Sequence, residues 1–596
     1  MKYAEYLLEN LARKENYSHC YFVAGGNTMH LLDAARKIFK CVPVVNEVAA
    51  GIAAEYFNEA NKEGKKAFAL VTAGPGLTNI VTAIAGAYLE SRELLVIGGQ
   101  VKTSDLKSSE MRQRGIQEID GRAIVETITV SSKLIDAQVP FSRIQDFLNS
   151  SKRPGPVFLE IPLDVQGSSL DHTVEASHDA SKCPESLAAE EINLDRLLND
   201  LKLSERPVLL IGGGVSRSLA KKLNKDLQQC GIPIMTTWNG MDRYGSDLPN
   251  YWGRPNTWGQ RSANILLQQS DLIIAVGSRL GLQQTGFAWE QFAPLANIYQ
   301  VDIDREELEK GHPKIKQGIQ ENADNFLESL LKQSRNIELK INTWLSFGES
   351  VQKAFPLNDA GNVTATGYIS PFHLMDELSN QLASTDVLIP CSSGGAFTVT
   401  MQAFSPKYGQ TIVTNKGLAS MGYGLSGAIG AAESTQSRTI LIEGDGGFAQ
   451  NLQELGTVAA QDLNIKVFVF SNSGYASIRM TQKNYFAGAY LGCDIETGLG
   501  LPDWKHIAAA YGLKYLRLTS PESLKQDLGQ ILEENGPCFV EVKIDPDQTY
   551  FPKITSRILP NGTMASNPLH LMSPDLSEHE IKEFLPHLAS MILGNR

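Results

Sequence analysis

The sequence predicts an α/β protein of doubly wound domains, and three observations support this prediction. Short apolar, β-branched runs alternate with helical patterns along most of the chain, which is typical of parallel sheets joined by crossover helices. Several of these runs end at a glycine-rich turn, such as Gly444-Asp445-Gly446-Gly447, immediately before a helical pattern. The chain has 596 residues, and at roughly 150 residues per domain this length predicts three or four domains.

The first segment, from Met1 to about Gly167, predicts one such domain. Strand patterns at 41–45, 67–72 and 94–98 alternate with helical patterns. Glu47 stands where the first of these strands meets a helix rich in small residues. A carboxyl group there either stabilises the helix start through the macrodipole or takes part in chemistry. The residues alone favour the first interpretation.

The middle segment, at about 191–340, predicts a second domain. Its strand patterns lie at 207–211, 232–236, 272–276 and 298–303, and the first ends at Gly212-Gly213-Gly214. A glycine turn after a strand is a weak signal for phosphate binding, and a tight structural turn is the alternative. Aperiodic stretches at about 168–190 and 341–370 predict linkers on either side.

The third segment, at about 371–545, contains the most informative stretch, 439–479. Strand, glycine turn, helix and strand follow one another within about 30 residues, which predicts a βαβ unit with parallel strands. The helix is expected to start at Asn451-x-x-Glu454, which resembles a capping box. Asp445 and Asn472 each follow one of the two strands, so both are expected at the sheet edge where open α/β sheets bind ligands.

Asp445 and Asn472 together predict a divalent-metal site. A carboxylate, an amide oxygen and the Gly474 carbonyl supply three oxygens for Mg²⁺, which leaves room for two phosphate oxygens and a water. The glycines allow backbone N–H groups to approach a diphosphate at the helix start. Gly-Asp-Gly alone would indicate only a tight turn, and the asparagine after the next strand is what favours a site.

These motifs resemble those of thiamine-diphosphate (ThDP) enzymes of the acetolactate-synthase-like family. Gly444-Asp445-Gly446 followed by Asn472 resembles the diphosphate–magnesium signature, and NEVAAGIAAEYF, TAGPGLTNIVTAIAGAYLESRELLVIGGQV and RGIQEID resemble the pyrimidine-binding domain. The resemblance covers nearly the whole chain and implies three doubly wound parallel-sheet domains. They are a pyrimidine-binding domain (1–167), a central domain (191–340) and a diphosphate-binding domain (371–545), followed by a C-terminal tail (546–596).

The resemblance also implies roles for individual residues. Glu47 would share a proton with N1′ of the aminopyrimidine and so promote formation of the thiazolium ylid. Met421 would hold the cofactor bent, and Ile478 would lie over the thiazolium. Gln117 and Gly25-Gly26 would line the reacting atoms. Further ThDP contacts are implied for Gly394, Gly395, Ala419, Gly446, Gly447, Asn472, Tyr475 and Ala476.

Relatives in this family often bind FAD in the central domain, and the resemblance implies that this chain does so too. The implied contacts are Gly212, Gly213, Gly214, Arg279, Asp302 and Asp324. Several relatives hold the flavin without redox turnover, so its presence would not by itself predict an oxidase.

Two departures argue against a dedicated acetolactate synthase. Leu163 stands where those enzymes commonly carry Lys, and Thr481 stands where they place a Trp that sorts acceptor ketoacids. The run YASIRMTQKNYF and the tail TYFPKITSRILPNGTMASNPLHLMSPDL instead resemble a carboligase branch that includes the two-carbon transferase of yersiniose biosynthesis. Tail residues near 557–570 either contact the acceptor or only dock the tail.

We therefore predict a Mg²⁺/ThDP-dependent carboligase. It would decarboxylate a 2-oxo acid, with pyruvate as the expected donor, and transfer the two-carbon unit to a ketone or aldehyde such as a keto-sugar nucleotide. The alternatives are acetolactate synthase, a cyclic 1,2-diketone hydrolase, a flavin-dependent pyruvate oxidase and an inactive regulatory paralogue. The resemblance implies a homodimer or homotetramer with active sites between subunits.

The composition argues against several other classes. The net charge is −12 without a basic run, which does not suit nucleic-acid binding. No stretch offers about 18 uninterrupted apolar residues, so we expect no membrane span. The amphipathic, charged start is unlike a signal peptide. The seven cysteines include no CxxC pair, which indicates a reducing compartment and no zinc site. We expect a cytoplasmic protein.

Overall fold

The computed structural model describes residues 1–108, 110–171, 173–174, 193–558 and 561–594. These residues form three parallel sheets flanked by helices, which confirms the predicted fold class. Most of the linker expected at 168–190 lies outside the described residues, as do residues 559 and 560 of the expected tail contacts. No helix of the described ranges is both long and apolar enough to cross a membrane.

The first sheet pairs its strands in parallel in the order β2-β1-β3-β4-β6-β5. Its middle strands are continuous apolar runs because helices cover both faces. The strands are β1 (Tyr17–Phe22), β2 (Lys40–Pro43), β3 (Lys66–Val71), β4 (Leu94–Gln100), β5 (Ser131–Leu134) and β6 (Pro156–Pro162). The helices are α1 (Tyr3–Glu15), α2 (Met29–Ile38), α3 (Glu47–Ala60), α4 (Pro75–Glu90), α5 (Gly121–Val125), α6 (Phe141–Leu148) and α7 (Leu163–Gly167).

The second sheet is also parallel and has the order β11-β10-β9-β7-β8. Its strands are β7 (Pro207–Ile211), β8 (Ile234–Thr236), β9 (Leu272–Val276), β10 (Asn297–Asp302) and β11 (Gln317–Gln320). Its helices are α8 (Asp195–Leu203), α9 (Arg217–Lys222), α10 (Asn224–Gln229), α11 (Arg261–Gln268), α12 (Leu282–Thr285), α13 (Arg305–Glu309), α14 (Ala323–Ser334) and α15 (Asn342–Ala354).

The third sheet repeats the topology of the first, in the order β13-β12-β14-β15-β17-β16. Its strands are β12 (Val387–Pro390), β13 (Thr411–Ile412), β14 (Thr439–Gly444), β15 (Ile465–Ser471), β16 (Lys514–Leu518) and β17 (Cys538–Lys543). Its helices are α16 (Pro371–Gln381), α17 (Gly394–Ala403), α18 (Tyr423–Thr435), α19 (Asp445–Phe448), α20 (Leu455–Ala460), α21 (Ala476–Tyr485), α22 (Trp504–Ala510) and α23 (Leu524–Glu533).

The C-terminal tail docks on the central domain. It contains the hairpin β18 (Ser556–Ile558) and β19 (Met564–Ser566) and the helices α24 (Glu578–Phe584) and α25 (Ala589–Leu593). Leu569 and Ile581 join the apolar cluster of the central sheet. His570 Nδ1 lies 2.9 Å from the Gln268 amide nitrogen, and burial lowers the pKa of His570 to about 4. These contacts favour docking as the role of the tail beyond residue 564.

Two local expectations from the sequence are wrong. The stretch 341–370 is not a linker throughout, because Trp344, Gly348 and Val351 recur at helical spacing and bury one face of α15 against the central core. Asn451 and Glu454 do not form a capping box. A short 3₁₀ turn (Leu452–Glu454) precedes α20, and both side chains bond to other parts of the molecule.

The first and third domains meet through α3 and α18. Glycines allow the close approach, since a Cβ atom on Gly430 would overlap the Ala53 carbonyl oxygen. A buried polar network stabilises the same contact. Glu55 accepts hydrogen bonds from Arg92 at 2.9 Å and from the Tyr423 hydroxyl at 2.5 Å. The contact places the N-terminal end of α3, where Glu47 lies, against the third domain.

Candidate active site

Asp445, Asn472 and Gly474 lie together at the carboxyl edge of the third sheet, as the βαβ pattern predicts. Asp445 is buried, and its two carboxylate oxygens accept backbone N–H groups of Gly446 at 2.7 Å and of Asn472 at 2.9 Å. Burial raises the pKa of Asp445 to about 6, although these amides oppose the shift. A buried carboxylate of this kind is stabilised by a nearby cation.

Three oxygens of this group converge. The side-chain oxygen of Asn472 lies 3.3 Å from Asp445 Oδ1 and 2.9 Å from the Gly474 carbonyl oxygen. Oxygens at such distances repel one another, unless the Asn472 amide turns over so that its nitrogen donates to both. Neighbouring oxygens around Mg²⁺ with bonds of about 2.1 Å are also about 3 Å apart. The donor set therefore fits a hard divalent cation.

Glycine turns surround these oxygens. Gly394 has φ +84 with open space beside its Cα, so α17 starts with an accessible backbone. Gly395 lies under the Tyr550 phenol and Gly446 under the Tyr475 ring, where a Cβ atom on either glycine would be too close. Gly447 is less crowded, with Glu443 as its nearest neighbour. The backbone at the start of α17 is therefore accessible at this edge, whereas tyrosine rings cover Gly395 and Gly446.

Large apolar side chains are exposed at the same edge. Met421 is 40% exposed and Ile478, in the first turn of α21 two residues after Ala476, is 49% exposed. Ala419 has φ +56, a left-handed conformation that is uncommon outside glycine, and the Gln450 amide lies 3.6 Å from the Met421 sulfur. Exposed apolar side chains beside a group that suits a diphosphate and its cation are appropriate for a ligand with a charged end and an aromatic end.

Glu47 lies at the carboxyl edge of the first sheet, as the first residue of α3. Its side chain is buried and accepts a hydrogen bond from Asn79 Nδ2 at 2.9 Å. Gln117 is exposed at φ +64 against Gly74. Gly25 lies against Thr72, and Gly26 faces open space. Within the described ranges, no hydrogen bond joins these residues to the Met421–Asp445 group.

Glu454 connects the two edges, a role that the sequence did not reveal. It is fully buried, and its Oε1 accepts the backbone N–H groups of Val45 at 3.1 Å and Asn46 at 3.0 Å, directly before Glu47. Thr457 donates to its other oxygen at 2.7 Å. A carboxylate of the third domain thus fixes the segment that carries Glu47.

We predict that Glu454→Ala lowers the free energy of unfolding by about 2–4 kcal/mol, because two amides lose their acceptor in a buried place. Glu454→Gln should cost less, since its oxygen still accepts. Denaturant midpoints and hydrogen exchange at Val45 and Asn46 measure the effect. Gln453→Ala is the matched control, and a Glu454→Ala protein as stable as this control would contradict the prediction.

Other residues that the sequence did not single out also shape the third-domain edge. Arg479 is buried in α21 and donates to the carbonyls of Asn472 at 3.0 Å and Pro546 at 3.1 Å, so it fixes the loop after β15. The Tyr550 hydroxyl is buried without a hydrogen-bond partner in the described part of the chain. The only signal for Arg479 in the sequence is that helical spacing places this charged residue on the buried face of its helix.

The central cavity has a volume of about 1040 Å³ and lies where the three domains meet. Gly213, Arg279 and Asp302 line it, and burial raises the pKa of Asp302. Charged side chains of both signs also line it, and the other basic ones are Arg92, Arg153, Arg217, Arg243, Lys310 and Lys416. Its size and the basic side chains within this mixed lining suit a nucleotide cofactor.

Three expected contacts at this cavity take other roles. The N–H groups of Gly212 and Gly214 donate to the carbonyls of Val276 and Gly277, so they are not free to bind phosphate. Close packing against Gly277 explains these glycines, since a Cβ atom on either would overlap it. Asp324 accepts the Ser216 N–H at 2.8 Å and does not line the cavity.

Glu160 on β6 predicts a pH dependence of stability. Burial and the charge of Asp120 raise its pKa to about 8, although Gln100 donates to it. The pKa of Glu160 in the folded state is above its ordinary value. The contribution of Glu160 to folding stability is therefore fully present below about pH 4.5 and is lost as the pH rises through about 8. Between about pH 5 and pH 9, we expect the parent protein to lose about 2–4 kcal/mol of its free energy of unfolding through Glu160, and Glu160→Gln to avoid this loss.

Unfolding midpoints of the parent and Glu160→Gln across this pH range test the prediction. Glu126→Gln, at an exposed position of the same domain, is the control and should follow the parent. Parallel pH profiles of parent and Glu160→Gln would show that Glu160 does not titrate in this range.

Comparison with known proteins identifies relatives over most of the chain. Models of the thiamine pyrophosphate enzymes match residues 1–124 as the N-terminal TPP binding domain, 194–330 as the central domain and 393–542 as the C-terminal TPP binding domain. A probable acetolactate synthase large subunit of Methanocaldococcus jannaschii is 30% identical over 84% of this chain and 85% of its own length. The large subunit of acetolactate synthase isozyme 1 of Escherichia coli is 29% identical, over 89% and 92% respectively.

Proposed function

The chain belongs to the thiamine pyrophosphate enzymes, and from this premise we propose that it is a decarboxylating carboligase that transfers a two-carbon unit from pyruvate to a ketone or aldehyde. Its relatedness to acetolactate synthases supports carboligation as the reaction class. When bound, ThDP supplies the electron sink that decarboxylation requires. A keto-sugar nucleotide is the acceptor that we propose.

The observation that carries the acceptor proposal is the small, exposed Thr481 on α21. Its hydroxyl donates to the Ser477 carbonyl at 3.0 Å, so the side chain lies along its own helix and occupies little space beside Ile478. Leu163, at the start of α7, offers no charge to a carboxylate. A small side chain at position 481 and an uncharged one at position 163 favour a bulky ketone over a second 2-oxo acid.

Glu47 and Met421 are proposed to act on opposite ends of the reacting region. Glu47 would hold and return a proton at its free carboxylate oxygen, while Asn79 orients the carboxyl group. Met421 and Ile478 would exclude water from the reacting atoms and contact apolar surface of the cofactor. Gln117, Gly25 and Gly26 would line the reacting atoms. The buried, oriented carboxyl is what separates this proposal from an inactive regulatory paralogue.

Asp445, Asn472 and the Gly474 carbonyl are the residues that we propose to hold Mg²⁺. The closeness of the Asn472 side-chain amide to Asp445 Oδ1 and to the Gly474 carbonyl supports this proposal. The backbones at Gly394, Gly395, Gly446, Gly447, Tyr475 and Ala476 would bind the diphosphate, and that of Ala419 would face the aminopyrimidine. The metal would neutralise phosphate charge beside a helix N-terminus.

FAD is proposed for the central cavity. Its volume and basic residues support a dinucleotide, with Arg279 and Asp302 as contacts and with Gly213 and Gly214 among the glycines that border the cavity. The absorbance spectrum of the purified protein, before and after denaturation, tests this directly. A flavin that stays oxidised during turnover with pyruvate would exclude the pyruvate oxidase alternative.

We propose the domain boundaries 1–167, 191–340, 371–545 and 546–596, with α15 added to the central domain because it packs on that core. A homodimer or homotetramer is proposed as the assembly. Apolar side chains on and after α21 support it, since Phe486 is 63% and Leu491 80% exposed.

The test is CO₂ release from pyruvate by the purified protein with ThDP and Mg²⁺, with and without a bulky ketone or keto-sugar nucleotide, and mass analysis of the products. Release that accelerates with the bulky acceptor, giving a product two carbons larger, is the expected result. Fast release with acetolactate as the main product would favour acetolactate synthase instead. A cyclic diketone cleaved by water without CO₂ release would favour the hydrolase.

Thr481→Trp sharpens this test. We expect it to lower the rate with the bulky acceptor at least tenfold, because the indole occupies the acceptor region, and to leave CO₂ release from pyruvate alone nearly unchanged. Thr481→Ser is the matched control. Equal losses with and without the acceptor would place residue 481 outside the acceptor region.

A further inference from the structure

The thiols of Cys20 and Cys41 lie side by side in the first sheet. Cys20 on β1 pairs in register with Cys41 on β2. Both side chains pack into the same apolar cluster, so they lie on the same face of the sheet. Neighbouring strands are about 4.7–4.9 Å apart, which is within the Cα separation of about 4.4–6.8 Å that a disulfide spans.

The two thiols differ in access and acidity. Cys20 is buried, and burial raises the pKa of its thiol well above the ordinary value. Cys41 is half-buried, and a hydrogen bond from Cys20 lowers the pKa of its thiol. A half-exposed sulfur stabilised as thiolate beside a buried thiol matches an attacking and a resolving cysteine.

Other cysteines of the described ranges lack such an arrangement. Cys391, Cys493 and Cys538 are buried. Cys230 is half-buried, but its thiol donates to the Leu227 carbonyl at 3.1 Å and burial raises its pKa to about 11. Cys230 is therefore an internal control of similar exposure. Cys183 lies outside the described residues.

We propose that Cys20 and Cys41 are a redox modification site that forms a reversible intramolecular disulfide when the protein meets a peroxide. The Cys41 thiolate attacks one oxygen of the O–O bond, and Cys41 becomes a sulfenic acid while the other oxygen takes up a proton and leaves as water. The Cys20 sulfur then attacks the Cys41 sulfur, and the S–S bond forms as a second water leaves. In total, two thiols lose two hydrogens and one hydrogen peroxide becomes two waters.

The disulfide would act on the Glu47 segment. β2 runs directly into this segment, where the Val44 N–H donates to the Phe22 carbonyl and the next two N–H groups donate to Glu454. A covalent bond between β2 and β1 would restrict the movement of this segment and slow turnover severalfold. This consequence rests on the proposed function, whereas the disulfide itself does not.

The experiment treats the full-length protein with hydrogen peroxide in a Cys183→Ser background, which removes the thiol of the undescribed segment. We expect an intact mass lower by two hydrogens, a cross-linked peptide pair containing Cys20 and Cys41, and full reversal by dithiothreitol. Turnover should fall and recover with the disulfide. Cys230→Ser should behave like the background protein.

Cys20→Ala separates pairing from simple oxidation. In this variant we expect Cys41 to gain oxygen without any cross-link. A parent protein in which Cys20 and Cys41 stay separate, or in which Cys41 is oxidised no faster than Cys230, would overturn the proposal. A disulfide with unchanged turnover would overturn the effect on Glu47. Because mass is the first readout, it decides on the disulfide even if pyruvate is not a substrate.

Discussion

Glu47→Gln is expected to lower turnover by about two to four orders of magnitude while ThDP stays bound. Glutamine keeps the size of the side chain and can still accept the Asn79 hydrogen bond, but it cannot take up a proton. The substitution therefore removes proton transfer at one buried position and changes little else. Steady-state CO₂ release and the ThDP retained after gel filtration measure the two parts of the prediction.

Asn79→Ala and Glu126→Gln are the controls for this variant. Asn79→Ala leaves the carboxyl group but removes its orienting donor, so we expect a smaller loss, about tenfold. Glu126 lies at an exposed position of the same domain, so its amide variant should match the parent. If Glu47→Gln turns over at the parental rate, the role proposed for Glu47 is wrong.

Asp445→Ala is expected to weaken Mg²⁺ binding by at least about 100-fold and to abolish retention of ThDP. Asp445 supplies the only charged oxygen of the proposed donor set, because the other two come from an amide and a carbonyl. The Asn472 and Gly474 amides would also lose their acceptor. Calorimetric titration with Mg²⁺ in the presence of ThDP measures the loss.

Asp462→Ala, on an exposed position after α20, is the matched control and should bind Mg²⁺ like the parent. Asn472→Ala should fall between the two, because it removes a neutral ligand. Parental Mg²⁺ affinity in Asp445→Ala would exclude the proposed metal site, whatever its turnover.

Local patterns in the sequence were sufficient where neighbouring residues decide the structure. The order of strands and helices, the parallel βαβ unit around Asp445 and the position of Glu47 at the start of α3 all follow from apolar periodicity and glycine turns. The predictions failed where distant residues compete. Glu454 can cap its own helix or bind the Val45 and Asn46 amides, and the tertiary contact prevails.

The glycine turn at 212–214 shows the same limit. A glycine that allows close packing and a glycine that binds phosphate look the same in the sequence, because both roles need an accessible backbone. Only the positions of Val276 and Gly277 show that two of the three amides are already bonded. In the third domain, the open space beside Gly394 is compatible with phosphate binding at that glycine turn.

The sequence by itself determined the α/β class, the family resemblance and the residues that carry charge at the sheet edges, because these depend on residue type and spacing along the chain. Only the tertiary structure decided that the Asn472 side-chain amide and the Gly474 carbonyl lie beside Asp445, that Glu454 fixes the segment before Glu47, and that Cys20 lies beside Cys41. Those facts depend on which strands become neighbours and on which buried polar groups find partners across domains. Spacing along one strand does not encode either.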